Sequence, residues 1–165
     1  YLNKISWDKN SKNILLSLGG VSDAKLLNIE HYITLASKFG KVYLMDPLSK
    51  LESFKSENVM LIQDMSLSQI LSNLDFYFGI IAGGTSKYIT SAYGLPCLFV
   101  GRNELEKILI DKFITDRMAF NESFLNIVNR NNDFDIVLEE ISKNTSKLLS
   151  ENNSKKINKF LNSYR

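Results

Sequence analysis

One cysteine, Cys97, stands in the whole chain, so no disulfide can close within it. One histidine, His31, stands beside it in the count, and the two together fall short of the ligands a zinc site needs. No apolar run reaches the roughly 18 residues of a membrane span, and no signal peptide is legible. The chain opens on Tyr1 rather than methionine, and it is expected to be part of a longer protein. Twenty Lys and Arg against 18 Asp and Glu leave a net charge of +2, too little to point to nucleic acid. Two phosphate-binding templates are missing as well. The Gly-x-x-x-x-Gly-Lys-Ser/Thr pattern of a P-loop ATPase is absent, and so is the Gly-x-Gly-x-x-Gly of a nicotinamide or flavin domain. No acidic cluster closes a strand, which argues against a phosphoacceptor receiver domain, and no carboxylate pair stands out as an acid–base couple.

What is present is a chain of 165 residues, 44% hydrophobic and 23% charged, enough for one domain with a real core. Residues 1–12 are mixed and polar and read as a lead-in or linker, with Ile5 and Trp7 as docking points. Residues 13–165 read as a single domain. Asn13–Leu18 is a short strand ending at Gly19-Gly20; Ser22 or Asp23 then caps a helix through Ala24, Tyr32, Leu35 and Phe39, closed by Gly40. Lys41–Met45 is a second strand, stopped by Asp46-Pro47, and Val59–Ile62 a third. Ser66 and Gln69 form a capping box, with Met65 and Ile70 placed as a hydrophobic staple. Asp75 opens a fourth strand that runs to Ala82, and Cys97–Val100 is the fifth, where a buried thiol is the better reading of Cys97. Asn103 and Glu106 repeat the capping pattern before a helix through Ile110. A helical tail over residues 134–165 carries Ile136, Val137, Ile141, Leu148 and Leu149, then Ile157, Phe160, Leu161 and Tyr164.

Strands alternating with helices predict an α/β, Rossmann-like, doubly wound parallel sheet of five or six strands, with helices on both faces and extra C-terminal helices. Right-handed crossovers put every strand-to-helix loop on one edge. In the order 3-2-1-4-5, the loops after strands one and four flank the crevice where ligands bind. Both are glycine-rich: Gly19-Gly20-Val21-Ser22 and Gly83-Gly84-Thr85-Ser86. Glycine lets a diphosphate approach the backbone, and the hydroxyls of Thr85 and Ser86 are either ligand contacts or helix caps. Lys87 is either a phosphate partner or a solvated helix residue. Met65, after the third strand, and Asn103 and Glu104, after the fifth, are candidate base or sugar contacts; helix entry and capping are their structural alternatives. Lys143, Lys147, Lys155, Lys156 and Lys159 make the tail basic, which suits either a solvated face or an anionic membrane surface.

Three segments carry a family resemblance: ILLSLGGVSD, NVMLIQDMSLSQILSNLDFYFGI and AGGTSKYITSAYGLPCLFVGRNE. Over about Asn13 to Phe113 the chain resembles the C-terminal, donor-binding domain of GT-B glycosyltransferases. It is most similar to the group that contains the N-acetylglucosaminyltransferase of lipid II synthesis and the nucleotide-sugar hydrolase of pseudaminic acid synthesis. The resemblance implies a bacterial, cytoplasmic protein; contact of the basic tail with the inner face of the membrane stays the alternative to a solvated tail. It implies that Gly19, Gly20, Gly83, Gly84, Thr85 and Ser86 approach the donor diphosphate and that the loop at Met65 meets the base. It implies no cofactor and no metal: the leaving diphosphate is stabilised by N–H groups and hydroxyls. The family's ribose-binding glutamate falls at Ile89, a departure from the pattern. The acceptor and the base belong to an N-terminal domain, so the isolated chain is expected not to turn over. Two other functions stay open: a nucleotide-sugar hydrolase of the same fold, and a non-catalytic half that scaffolds a partner.

Overall fold

Five apolar runs pair side by side in a single parallel sheet of order β3-β2-β1-β4-β5. They are β1 (Asn13–Ser17), β2 (Lys41–Met45), β3 (Val59–Ile62), β4 (Phe78–Ala82) and β5 (Cys97–Val100). These come from a computed structural model, which describes residues 4–19, 28–127 and 132–150. In register, Ile14 pairs with Val42 on one side and Phe78 on the other, and Gly79 pairs with Cys97. Side chains alternate across a strand, so each strand feeds two cores. Ile14, Leu16, Val42, Leu44, Phe78, Ile80 and Leu98 form one layer. Leu15, Ile81, Cys97 and Phe99 form the other. Burial on both faces is what a parallel sheet requires.

Among the described residues, α1 (Ile29–Ser37) covers the first layer through Ile29, Tyr32, Leu35 and Ala36. The C-terminal helices α5 (Glu122–Ile127) and α6 (Asn132–Ser150) join it there through Leu125, Phe134, Leu138 and Ile141. The second layer is covered by α2 (Leu67–Asn73), α3 (Ser86–Ala92) and α4 (Glu104–Thr115), through Ile70, Leu71, Ile89, Ile110 and Phe113. The fold is the Rossmann-like, doubly wound α/β architecture that the strand–helix alternation predicts.

Several local details differ from the expected ones. Strand β4 starts at Phe78, not Asp75, because the preceding residues bond elsewhere. The Asp75 carbonyl accepts from Ser11 Oγ (2.9 Å) and Asn13 Nδ2 (3.1 Å), and its carboxylate pairs with Lys4 at 3.0 Å. Phe76 exchanges backbone bonds with Ser6 and Asp8, and Trp7 packs against the first core while Ile5 stays exposed. The N-cap of α1 is Asn28, in the left-handed region at φ 53°; Ser22 and Asp23 lie outside the described residues. Gly40 is not a left-handed cap. It is where the chain passes over Lys12, whose carbonyl oxygen would lie 2.0 Å from a Cβ and instead accepts from Lys41 N. The Ser66–Gln69 capping box is complete, but Met65 stays 45% exposed and adds little as a staple. Phe120 makes a single parallel bridge to Leu98, a rudiment of a sixth strand. The tail helix begins two residues ahead of the expected 134, and the last predicted helix, through Ile157 and Tyr164, lies outside the described residues.

Candidate functional site

The chain winds outward from β1 through β2 to β3, then returns to lay β4 and β5 on the other side. The order therefore reverses between β1 and β4. Gly19 leaves β1 exposed, at φ 85°, and Gly20 lies outside the described residues. Gly83-Gly84-Thr85 leave β4 beside it.

Gly83 is buried. Its N–H donates to the Val100 carbonyl (2.8 Å), and a Cβ there would stand 2.8 Å from Ile110 Cδ1. The N–H groups of Gly84, Thr85 and Ser86 meet no acceptor among the described residues. The Thr85 side chain is exposed and makes no capping bond, so its hydroxyl is not used by the helix it precedes. Three open amides and an open hydroxyl thus line a rim at the switch point, with the chemistry to accept an anion.

Beneath the rim lies Lys87. It is not a solvated helix residue: it is 2% exposed. Its Nζ donates to the carbonyls of Gly83 (2.5 Å) and Gly84 (3.4 Å) and sits 4.5 Å from the Tyr88 ring centre. Burial pushes its ammonium below the ordinary lysine range, while the nearby Glu106 carboxylate opposes that shift. By drawing the two glycine carbonyls inward, Lys87 sets the peptide planes from which the open amides project.

Beside the rim stands an ion pair that the sequence reading did not single out. The Glu106 carboxylate, buried in α4, accepts from Arg102 N (2.8 Å), from Arg102 Nε (3.0 and 3.1 Å) and from Arg102 Nη2 (2.5 Å). Arg102 Nη2 in turn lies 2.8 Å from where a Cβ on Gly84 would stand. The signal was an Arg and a Glu four apart at a helix start. The capping pattern hid it: Asn103 Oδ1 does accept from Glu106 N (2.9 Å), but the Glu106 side chain passes Asn103 and reaches Arg102. The extended backbone of Asn103 (φ −148°, ψ 170°) brings Arg102 into reach.

The Arg102 guanidinium, by hydrogen bonding, holds Glu106 below the usual carboxylate range. A depressed folded-state value stabilises the fold above the ordinary carboxylate value, and that stability is lost as pH falls through the depressed one. Glu106→Gln is therefore expected to lower stability by about 1–3 kcal/mol at neutral pH. The gap to the unsubstituted chain should close as pH drops below the ordinary value of about 4.3. Urea melts at pH 7 and pH 3 check this; an equal gap at both would contradict it.

The other candidate residues fall as follows. Met65 is exposed after β3. Asn103 is exposed, and its side chain is engaged as a cap. Glu104 is exposed and pairs with Lys107 at 2.7 Å. Ile89, where the resemblance places a ribose carboxylate, is partly buried against the second core. Asp46, at the end of β2, is buried, and both its oxygens are taken by Lys50 N and Leu51 N (2.9 Å each). The chain's Asp-x-Asp, Asp133-Phe134-Asp135, is on α6: Asp135 accepts from Tyr77 (2.7 Å) just ahead of β4, at the edge opposite the rim. His31 binds Glu122 (2.7 Å), which also accepts from the Tyr32 hydroxyl. The Cys97 thiol is fully buried and pushed up to about 12 by that burial, as an inert thiol is. Glu139 and Glu140 pair with Lys143 and Arg117. No helix among the described residues is long and apolar enough to cross a membrane.

Fold and loop together define a doubly wound α/β domain with open amides at the switch point of its sheet. The chain is similar in structure to the glycosyltransferase SnogD from Streptomyces nogalater, with a TM-score of 0.59 and 17% identity over 90% of this chain and 42% of that one. It is similar to the glycosyltransferase SsfS6 of Streptomyces sp. SF2575, complexed with thymidine diphosphate: TM-score 0.57, 12% identity, 87% of this chain and 39% of that one. A third likeness is to the glycotransferase of kitacinnamycin, with a TM-score of 0.55, 13% identity and 90% and 42% coverage. The chain thus spans about two-fifths of these proteins' length. No family model and no curated protein matches the sequence.

Proposed function

We propose that the chain is the donor-binding domain of a GT-B-type glycosyltransferase, which moves a sugar from a nucleotide-sugar to a glycan or lipid-linked acceptor. The observation that carries this reading is the row of open amides at Gly84, Thr85 and Ser86, placed at the switch point of the sheet. The thymidine diphosphate held by a structural neighbour supports it.

When the glycosidic bond breaks, negative charge builds on the leaving diphosphate. Fixed N–H dipoles and hydroxyls lower the energy of that charge without having to reorganise. In this reading Gly83 and Gly84 provide the close approach and Thr85 and Ser86 the hydroxyls. Gly19 and Gly20 border the diphosphate from β1, Met65 lies towards the base, and Asn103 and Glu104 towards the sugar. No metal or cofactor takes part. The acceptor and the base come from an N-terminal domain of the same protein. The enzyme works on the cytoplasmic side, its basic tail against the inner membrane face.

Ile89 favours a second reading, a non-catalytic half that holds a partner, because an apolar side chain packed on the core cannot bind ribose hydroxyls. Amide NMR titration separates the two. With UDP, GDP, CMP and thymidine diphosphate at millimolar concentration, shifts centred on Gly83–Ser86 are expected. A rim that stays unperturbed by all four would leave only the second reading.

A further inference from the structure

Residues 4–8 cross the edge of the sheet opposite the rim and are anchored there by one buried serine. Ser6 is 0% exposed, and its polar groups bond three different parts of the body. Its Oγ donates to the Leu71 carbonyl of α2 (2.6 Å). Its N–H donates to the carbonyl of Tyr93, the C-cap of α3 (2.8 Å), and its own carbonyl accepts from Phe76 N (2.8 Å), just ahead of β4. Asp8 N adds a bond to the Phe76 carbonyl (3.0 Å), and the chain then turns, with Ser11 N bonded back to Asp8 O. The flanks hold weakly. Lys4 pairs with Asp75 through side chains 40% and 49% exposed, and such a pair contributes little in water. Ile5 is half-exposed, beside Gly94, where an added Cβ would stand 3.3 Å from Ile5 Cγ2. Trp7 packs on the first core, yet its buried Nε1 meets no acceptor among the described residues, so the closed arrangement carries the cost of a desolvated donor.

We propose that residues 4–8 are a releasable strap that clamps the far end of α3, and that its release loosens the helix whose near end follows Gly84 and Thr85. Ser11 and Asn13 stay fastened to the Asp75 carbonyl by their own bonds, so the release ends at the turn over residues 8–11. Ser6 bridges two helices, since Leu71 belongs to α2 and Tyr93 caps α3. With the strap lifted, α2 and α3 keep the contact between Ser72 Oγ and the Tyr93 hydroxyl (3.0 Å) but lose the bridge through Ser6. Helix α3 has seven residues and is about 10 Å long, so a change in the hold on Tyr93 reaches Ser86. Opening of a weakly held segment over a folded core belongs to the low end of a protein's range of local stabilities.

Trp7 is the chain's single tryptophan and sits on the strap, so its fluorescence reports strap release while far-UV circular dichroism reports the body. In urea, the fluorescence transition of the 165-residue chain is expected at least about 0.5 M below that of the dichroism, with a shallower slope because little surface is uncovered. Ser6→Ala removes the bond to Leu71 and should raise the opening constant about 10-fold. It should lower the fluorescence midpoint and leave the dichroism midpoint in place, since the strap is already released in the state that then unfolds. Hydrogen exchange by NMR at low urea reads the same event residue by residue. The amides of Ser6, Asp8 and Phe76, and those of Tyr93, Gly94 and Leu95 at the end of α3, are expected to share one opening of shallow urea dependence. Their protection should lie about 30-fold or more below that of Leu16 and Ile80. The exchange pattern is read in the unsubstituted chain, so it decides the matter even where Ser6→Ala does not fold. Coincident fluorescence and dichroism transitions overturn the proposal, and so does a Ser6→Ala that shifts both midpoints equally. Strap amides that open while Tyr93, Gly94 and Leu95 stay as protected as Ile80 overturn it as well.

Discussion

Gly84→Asp is expected to abolish nucleotide binding, by about 100-fold or more, in a protein that still folds. The loss equals about two charge-assisted contacts. Gly84 is outside the left-handed region, so the backbone accepts a side chain. A Cβ there meets Arg102 Nη2 at 2.8 Å, the far end of a side chain that can move, and no backbone atom is among its nearest neighbours. The new carboxylate then lies beside the open amides of Thr85 and Ser86 and the displaced guanidinium. It neutralises the site and repels phosphate. Titration with thymidine diphosphate measures the loss, and a thermal melt within about 3 °C of the parent shows the fold intact. Gly84→Ala is the control: it moves Arg102 without adding charge and should cost much less. Undiminished affinity in a folded Gly84→Asp would remove this loop from the binding site.

Phe134→Ala is expected to be the most destabilising of these substitutions, by about 3–5 kcal/mol. Phe134 is fully buried, and its ring lies 5.7–5.9 Å from those of Phe39, Tyr77, Phe78, Phe120 and Phe124. Those partners come from the end of α1, from β4 and its approach, and from the segment around α5. One ring thus ties α6 to the middle of the sheet. The truncation removes edge-to-face contacts as well as area, and the close-packed surroundings cannot fill the space. In urea the midpoint should fall while the slope holds, and for a domain of this size the melting temperature should drop by about 10 °C. A loss below about 1 kcal/mol would mean that α6 is an appendage and not part of the core.

The architecture was legible because its signals are local. Short apolar runs closed by Gly19-Gly20, Asp46-Pro47 and Gly83-Gly84, with helices between them, leave few topologies once crossovers are right-handed. The Ser66–Gln69 box and the Asn103 cap are likewise bonds between near neighbours. Lys87 was legible only as a choice between two roles, and the structure shows a third: an ammonium turned under the loop rather than towards ligand or solvent. Arg102 was not legible. Its partner is four residues away, but its place over Gly84 depends on β4 and β5 pairing in register, a contact between distant parts of the chain. The Asp75 boundary was missed for a similar reason, because the bonds that end β4 there come from Lys4, Ser11 and Asn13.

By itself, then, the sequence determined the parallel sheet, its order and the edge that carries the strand-to-helix loops, since periodicity, glycine placement and handedness are properties of short stretches. Only the tertiary structure decided the electrostatics of that edge. Whether a lysine is buried, which arginine a glutamate holds and which amides stay open are set by the approach of β4, β5 and α4. A charge takes its pKa and its reach from neighbours that the chain order does not place beside it.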